Sequence, residues 1–202
     1  MIEFKAWATP MYQFDKIFTN HQDIVRIARN WSDDDQKHSR SKKGNVLSEY
    51  SDLRQHEELQ TLCRWFEMCI NTAAKAANQH CWTEEETKAK AEITSIWSWS
   101  SNDYHNPYHG HPNTSWSGIY YLEVEDCVNQ GHTKMHSVLP HTGYTDEGLL
   151  FMNSEQSIDI IPRPGLLHVF PGYVKHEGMP YKGPERRTII AFNTQVKLRD
   201  NI

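Results

Sequence analysis

From residue 92 onward the chain is a succession of short apolar, β-branched and aromatic runs separated by glycine and proline, and this pattern constrains its fold most. Ile93-Thr94-Ser95-Ile96-Trp97-Ser98-Trp99 opens it without any helical period. Further strand candidates are 116–124, 132–138, 148–152, 157–161, 166–170 and 187–194. Between them lie Gly131, Pro140, Gly143, Pro162, Pro164-Gly165, Pro171-Gly172, Gly178-Pro180 and Gly183-Pro184. Many short strands punctuated in this way predict a sandwich or barrel of the jelly-roll type.

The residues before 92 read differently. An early strand and a turn are expected in 1–19, and Asn20 can cap a helix to about Trp31 with Ile24, Val25 and Ala28 on one face. Ser32–Gly44 is polar and charged and reads as a loop. The strongest helix runs from Glu57 to about Asn78, where Leu59, Leu62, Cys63, Phe66, Ile70, Ala73, Ala74 and Ala77 recur at three- and four-residue steps. Thr83 and Glu86 form a capping-box pattern for a short helix to about Ala91. The apolar stripe of the long helix needs a partner, and a downstream sheet face supplies one. The expectation is a mainly β chain with N-terminal helices: one domain over 1–202, with a helical support region at 1–91 and a jelly-roll core at 92–202.

At 202 residues, with seven Trp, nine Tyr and seven Phe, the chain can build a sizeable core or an aromatic-lined cavity. A net charge of −5 argues against non-specific nucleic-acid binding. Cys63, Cys69, Cys81 and Cys127 form no CxxC pair, so a cysteine zinc site is not expected and a reduced, cytoplasmic setting is. The start of the chain lacks a signal-peptide pattern, and no window reaches the roughly 20 apolar residues of a membrane helix.

Chemistry concentrates in His105-Asn106-Pro107-Tyr108-His109-Gly110-His111-Pro112. Two histidines one residue apart point the same way on extended backbone, which makes His109 and His111 a candidate metal grip. A second stretch, Pro164 to Gly178, ends a strand at Pro171-Gly172 and carries His176 just beyond the turn. Arg187 opens the strand Arg187–Asn193 and shares a face with Ile189 and Ala191. An arginine among apolar neighbours is costly unless an anion pairs with it, and its planar fork suits a carboxylate. Each piece has a plainer reading: His-x-His-Pro occurs in loops without metal, a lone His176 is usually a solvated loop residue, and a lone Arg187 usually a salt-bridge partner. Arg186 points to the opposite face as a surface charge, His168 reads as structural, and His132, His136 and His141 are too scattered to use. Trp97, Trp99 and Trp116 read as core, while His105 and Tyr108 are candidates to line a pocket.

Together, His109-x-His111-Pro112, Ser117-Gly118-Ile119-Tyr120-Tyr121-Leu122, Pro164-Gly165, Phe170-Pro171, His176 and Arg187 ahead of Phe192-Asn193 resemble the iron(II)- and 2-oxoglutarate-dependent oxygenases. The resemblance covers about Trp97 to Asn193 and is similar above all to small members from bacteria and phages. It implies a double-stranded β-helix, cupin-like and braced by the helices. It also implies Fe(II), 2-oxoglutarate as cosubstrate and O2, with oxidative decarboxylation to succinate and CO2 coupled to hydroxylation of a C–H bond. Carried over, His109 and His176 are metal ligands, Arg187 binds the distal carboxylate of 2-oxoglutarate, and Tyr121 hydrogen-bonds it. The family's triad is His-x-Asp/Glu…His, and here His111 stands at the carboxylate position. His111 completes the triad, Asp103 or another carboxylate does, or His111 binds with His109 in support.

A cupin-like metal-binding or structural protein without turnover is the competing class, and a three-histidine dioxygenase that uses no 2-oxo acid is the competing enzyme. The substrate, a small molecule or a protein side chain, is not legible. Residues 32–56 and 126–147 are expected to border the pocket. No membrane association is expected, nucleic acid is not expected as a partner, and a homodimer is an open expectation.

Overall fold

The computed structural model describes residues 9–39, 56–125, 130–138 and 157–198. Strand β1 (Tyr12–Asp15) is followed by helices α1 (His21–Ser39) and α2 (Glu57–Asn78). Then come β2 (Lys90–His109), β3 (Trp116–Glu123), β4 (Thr133–His136), β5 (Ser157–Ile160), β6 (Leu166–Pro171) and β7 (His176–Lys197). The expected strand at 148–152, and His141 with it, lie outside the described residues.

All pairing is antiparallel, and the strands follow the order β1-β6-β3-β7-β4-β5, with β2 on the other edge of β7. The long partners β2 and β7 run together from Lys90 opposite Lys197 to His109 opposite His176. Along its second edge β7 changes neighbour. Residues 176–178 pair with β4, whereas residues 188–194 pair with β3. The curled sheet therefore folds into two facing halves that share β2 and β7, the jelly roll expected from the strand pattern.

Two of the predicted breaks are not turns. Gly178-Pro180 and Gly183-Pro184 both lie inside β7. Between the pairs Ser101–Arg187 and Asp103–Lys182 the register slips, so β7 carries a bulge where it passes from one half to the other. Glycine and proline at a strand bulge bend the ladder without ending it.

The helices close one face of the larger half. Phe66 of α2 stacks on Phe192 of β7, with ring centroids 4.4 Å apart, and Trp65, Phe18 and Tyr120 pack around them. Gly118 of β3 is required here, because a Cβ at that position would sit 2.3 Å from the Phe192 ring. Alternation then sorts the strands: Tyr120, Leu122, Ile190 and Phe192 join the helix-side core, and Ile119, Tyr121, Ile189 and Ala191 join a second cluster inside the roll. At the outer edge of β2, α2 supplies acceptors to strand N–H groups. Asn71 Oδ1 accepts from Ala91 at 2.8 Å and Glu67 Oε1 from Ile93 at 3.3 Å.

Helix α2 has the bounds its periodicity predicts, but α1 runs past Trp31 to Ser39 where a loop is expected. The polar residues there find partners on the sheet. Ser32 is buried and its Oγ accepts from Ser100 N at 2.9 Å, and Asp33 accepts from Arg186 at 2.9 Å. Arg186 is thus a partly exposed ion-pair partner on the helix side, facing away from Arg187. The Thr83–Glu86 capping box forms with both hydrogen bonds (2.6 and 3.2 Å), yet it starts only a 3-10 turn at Glu86–Lys88. That turn buries no residue, so nothing apolar rewards a longer helix. Among the described residues no helix is long and apolar enough to cross a membrane.

Candidate metal centre and its cavity

The register of β2 and β7 brings two histidines face to face. His109 ends β2 and pairs directly with His176, the first residue of β7. The following turn is clasped to the segment before β7: His111 N donates to Gly172 O at 3.0 Å, and Gly172 N donates to Ser115 O at 3.2 Å. This clasp brings the His111 ring over the same point. Ring centroids are 4.2 Å apart for His109–His176, 5.2 Å for His109–His111 and 5.1 Å for His111–His176. One nitrogen from each ring lies within 4.8 Å of the other two.

Backbone acceptors orient two of the rings. His109 Nδ1 lies 2.7 Å from Pro107 O and His176 Nδ1 lies 3.2 Å from Val174 O. A proton held on Nδ1 by a carbonyl leaves the Nε2 lone pair for a metal. Burial lowers His111 to about 4 and His176 to about 3, with the other histidines and Lys175 adding to the shifts. Both rings are therefore neutral and ligation-competent at neutral pH. The Ser117 hydroxyl donates to Asn193 Oδ1 at 2.8 Å, and Asn193 Nδ2 lies 3.5 Å from His111 Nδ1.

The group contains no carboxylate among the described residues. Asp103 is exposed on β2 opposite Lys182 and takes no part in it. Glu123 is committed elsewhere, held by Arg29 at 2.6 and 2.8 Å and by Thr188 at 2.7 Å. A metal–imidazole bond of about 2.1 Å sets neighbouring ligand nitrogens roughly 3 Å apart, so modest ring rotations would close the grip. The three imidazoles fit a first-row divalent ion.

The triad opens on a cavity of about 470 Å3. Trp97, Trp99, Ile119, Phe170, Ile189 and Ala191 give it apolar walls, and Tyr104, Asn106, Thr133 and Asn193 add polar groups. Arg187 lies behind this wall with no exposed surface. Its Nε donates to Gly131 O at 2.8 Å, and its guanidinium carbon lies 4.5 Å from the Tyr104 ring centroid and 5.6 Å from that of Tyr121. Both terminal nitrogens lack a hydrogen-bond acceptor among the described residues. Gly178 permits this packing, since a Cβ there would meet the Tyr104 ring at 2.4 Å. Burial raises the Tyr104 phenol, and the Arg187 charge partly offsets the rise. Tyr121 shares a 2.7 Å hydrogen bond with Thr133, whose side lines the cavity. Two terminal NH2 groups of a buried cation, without an acceptor among the described residues, are what a bound carboxylate would satisfy.

The other singled-out residues separate clearly. His105 lines the cavity, whereas Tyr108 is exposed and packs edge-on to His136, itself 3.0 Å from Glu177. His132 lies 3.4 Å from Asp159. His168 is buried beside Phe170, outside the triad, with neither ring nitrogen hydrogen-bonded among the described residues. Trp116 is in the helix-side core, but Trp97 and Trp99, expected as core, also line the cavity, with the Trp97 ring centroid 5.8 Å from that of His111. Their i, i+2 spacing on a strand was the available signal. Of the segments expected to border the pocket, Thr133 does so, while Ser32 and Asp33, on α1, pair with Ser100 and Arg186 on the helix side of the sheet. Residues 40–55, 126–129 and 139–147 lie outside the described residues.

Residues 95–193, which contain the triad, Tyr121 and Arg187, match the family model described as "Putative 2OG-Fe(II) oxygenase". This part of the chain is similar to the 2-oxoglutarate–iron(II) oxygenases. Two solved structures agree in fold. The non-heme monooxygenase ThoJ in its nickel complex superposes with a TM-score of 0.58 at 9% identity, covering 93% of this chain and 74% of that one. The non-heme alpha-ketoglutarate-dependent epimerase SnoN from nogalamycin biosynthesis gives 0.57 at 11% identity, over 93% and 78%. An oxidoreductase of the 2OG-Fe(II) oxygenase family from Burkholderia pseudomallei aligns at 12% identity and a TM-score of 0.42 over 61% of this chain, which spans 50% of that protein's length. No curated protein matches the chain.

Proposed function

We propose that this protein is an iron(II)- and 2-oxoglutarate-dependent dioxygenase that hydroxylates a C–H bond of a small molecule or a protein side chain. One observation carries the reading. Three imidazoles converge at the mouth of a cavity whose wall, through Tyr104, rests on a buried guanidinium whose terminal nitrogens have no hydrogen-bond acceptor among the described residues.

His109, His111 and His176 would hold the metal, each with a neutral imidazole. Arg187 would pair with the distal carboxylate of 2-oxoglutarate through its two terminal NH2 groups, and Tyr121 and Thr133 would complete that end with hydroxyls. The bound metal, with the 2-oxo acid and O2, supplies the oxidising equivalents for hydroxylation while succinate and CO2 are released. Trp97, Trp99, Phe170 and Ile119 exclude water from the reacting volume, which strengthens the polar contacts inside it. Cys69 and Cys81 are free thiols, in keeping with a cytoplasmic setting.

The test is an anaerobic titration of the apo-protein with Fe(II), then 2-oxoglutarate, watching for the weak visible charge-transfer band, followed by succinate release on admitting O2. The expected result is a band in the wild type that is lost in Arg187→Met. Folded protein that binds Fe(II) without developing the band would overturn the cosubstrate assignment. The all-histidine donor set favours one second reading, a three-histidine dioxygenase without a 2-oxo acid, and O2 uptake independent of 2-oxoglutarate would select it.

A further inference from the structure

Among the described residues, the charge inside the cavity does not balance. No Asp, Glu, Lys or Arg lies on its wall among the described residues, where the polar groups are amides, hydroxyls, indoles and imidazoles. A histidine must be neutral to ligate, so the triad contributes nothing to offset a divalent ion. Adding the buried Arg187 gives three positive charges, and a 2-oxoglutarate dianion cancels two. One positive charge is left in a space walled by Trp97, Trp99, Phe170, Ile119 and Ala191. A carboxylate at position 111 would cancel it, and His111 does not. Lys175 adds to the excess at the mouth, where its side chain lies against Gly110 between the two histidines. An uncompensated charge in a poorly solvated pocket is expensive, and its field acts on whatever enters.

Resting on the oxygenase reading above, we propose that the substrate supplies the missing charge: the pocket takes a small organic monoanion, its anionic group toward the triad and its apolar body against Trp97 and Trp99. The walls suit such a body. The Trp97 ring lies 5.8 Å from that of His111, and the buried Trp99 Nε1 has no acceptor among the described residues and can donate to one on the ligand. A cation of the same shape is repelled by the residual charge, and a neutral analogue falls between.

The test uses protein loaded with Ni(II) and saturating 2-oxoglutarate, which binds without turning over. Loading is measured first by calorimetry. Benzoate, benzamide and benzamidinium, nearly identical in shape and charged −1, 0 and +1, are then titrated as probes. The expected order is benzoate, benzamide, benzamidinium, with at least a tenfold difference between the first and the last. His111→Asp restores a carboxylate and should collapse that preference at equal nickel content, whereas Lys175→Met should retain it. Equal affinities, tighter benzamidinium, no binding of any probe, or a preference that survives His111→Asp or vanishes in Lys175→Met each overturn the proposal. Should His111→Asp not fold or load, the three wild-type affinities decide alone. Failure of Ni(II) and 2-oxoglutarate to load sinks the oxygenase reading as well, while loading without the charge order sinks only this inference.

Discussion

The two faces of the larger half-sheet are built from the same strands, yet they are finished in opposite ways. On the helix side, Ile190 and Phe192 meet an apolar layer from α1 and α2, and polar groups at that contact find partners: Ser98 Oγ donates to Ala28 O at 2.8 Å, and Arg29 grips Glu123. On the inner side, one residue along the same strand, Ile189 and Ala191 line a cavity, and Arg187, His168 and Trp99 keep polar atoms without partners among the described residues. Close packing and satisfied donors stabilise a fold, whereas unmet donors around a cavity cost stability and are ready to bind. The helix face holds the sheet rigid so that the inner face can remain incomplete.

That division can be broken, and the largest expected effect is on the helix side. Phe66→Ala removes the ring stacked on Phe192 and should cost about 3–5 kcal/mol of folding stability while leaving Ni(II) affinity of the folded fraction unchanged. Denaturant melts combined with metal titration would show this. A fall in metal affinity beyond the loss of folded protein would mean that the two faces are not independent.

The converse substitution lies on the inner face. His176→Ala should lower metal affinity by at least a hundredfold, about 3 kcal/mol, with a far smaller change in the apo-protein's melting temperature. Metal affinity within threefold of wild type would remove His176 from the site.

A pH experiment sharpens the contrast. Burial lowers His168 from 6.5 to about 4, so the unfolded chain takes up a proton near pH 6.5 that the folded chain refuses. The unfolded state binds more protons in that window, so stability is fully present above about pH 6.5 and is lost as the pH falls toward 4. At pH 5 the loss from this group is about 2 kcal/mol. His168→Leu should flatten the acid side of the stability curve of the apo-protein, whereas an unchanged slope would show that its burial is not what the proton meets. His111 and His176 are shifted in the same direction and leave a residual slope.

The smallest expected effect is on stability alone. Arg187→Met replaces a buried cation whose terminal nitrogens have no acceptor among the described residues with a thioether of similar reach, and should raise apo-protein stability by about 1 kcal/mol or leave it unchanged. The same variant should abolish the extra thermal stabilisation that 2-oxoglutarate gives the metal-loaded protein. Strong destabilisation without ligand would make Arg187 a structural residue.

Local periodicity made part of this architecture legible. Helix α2 carries its apolar stripe at every expected step, and the strands around Ile119, Val169 and Ile190 show the runs that both-face burial demands. The candidate site residues His109, His111, His176, Arg187 and Tyr121 stand out as residue types and spacings. Other features depend on contacts distant in sequence. Ser32 and Asp33 look like loop residues until Ser100 and Arg186 are brought beside them. Gly183-Pro184 looks like a turn until β2 supplies a continuous partner along β7.

What the chain determines by itself is therefore the class of each segment and the inventory of reactive groups, because propensity and alternation are local properties. Only the tertiary structure decides that His109 faces His176 across the β2–β7 ladder, that the turn after β2 carries His111 to the same point, and that no described carboxylate reaches it. Those facts follow from strand register and from a backbone clasp between Gly172, His111 and Ser115, pairings between residues roughly 60 positions apart that no local pattern encodes.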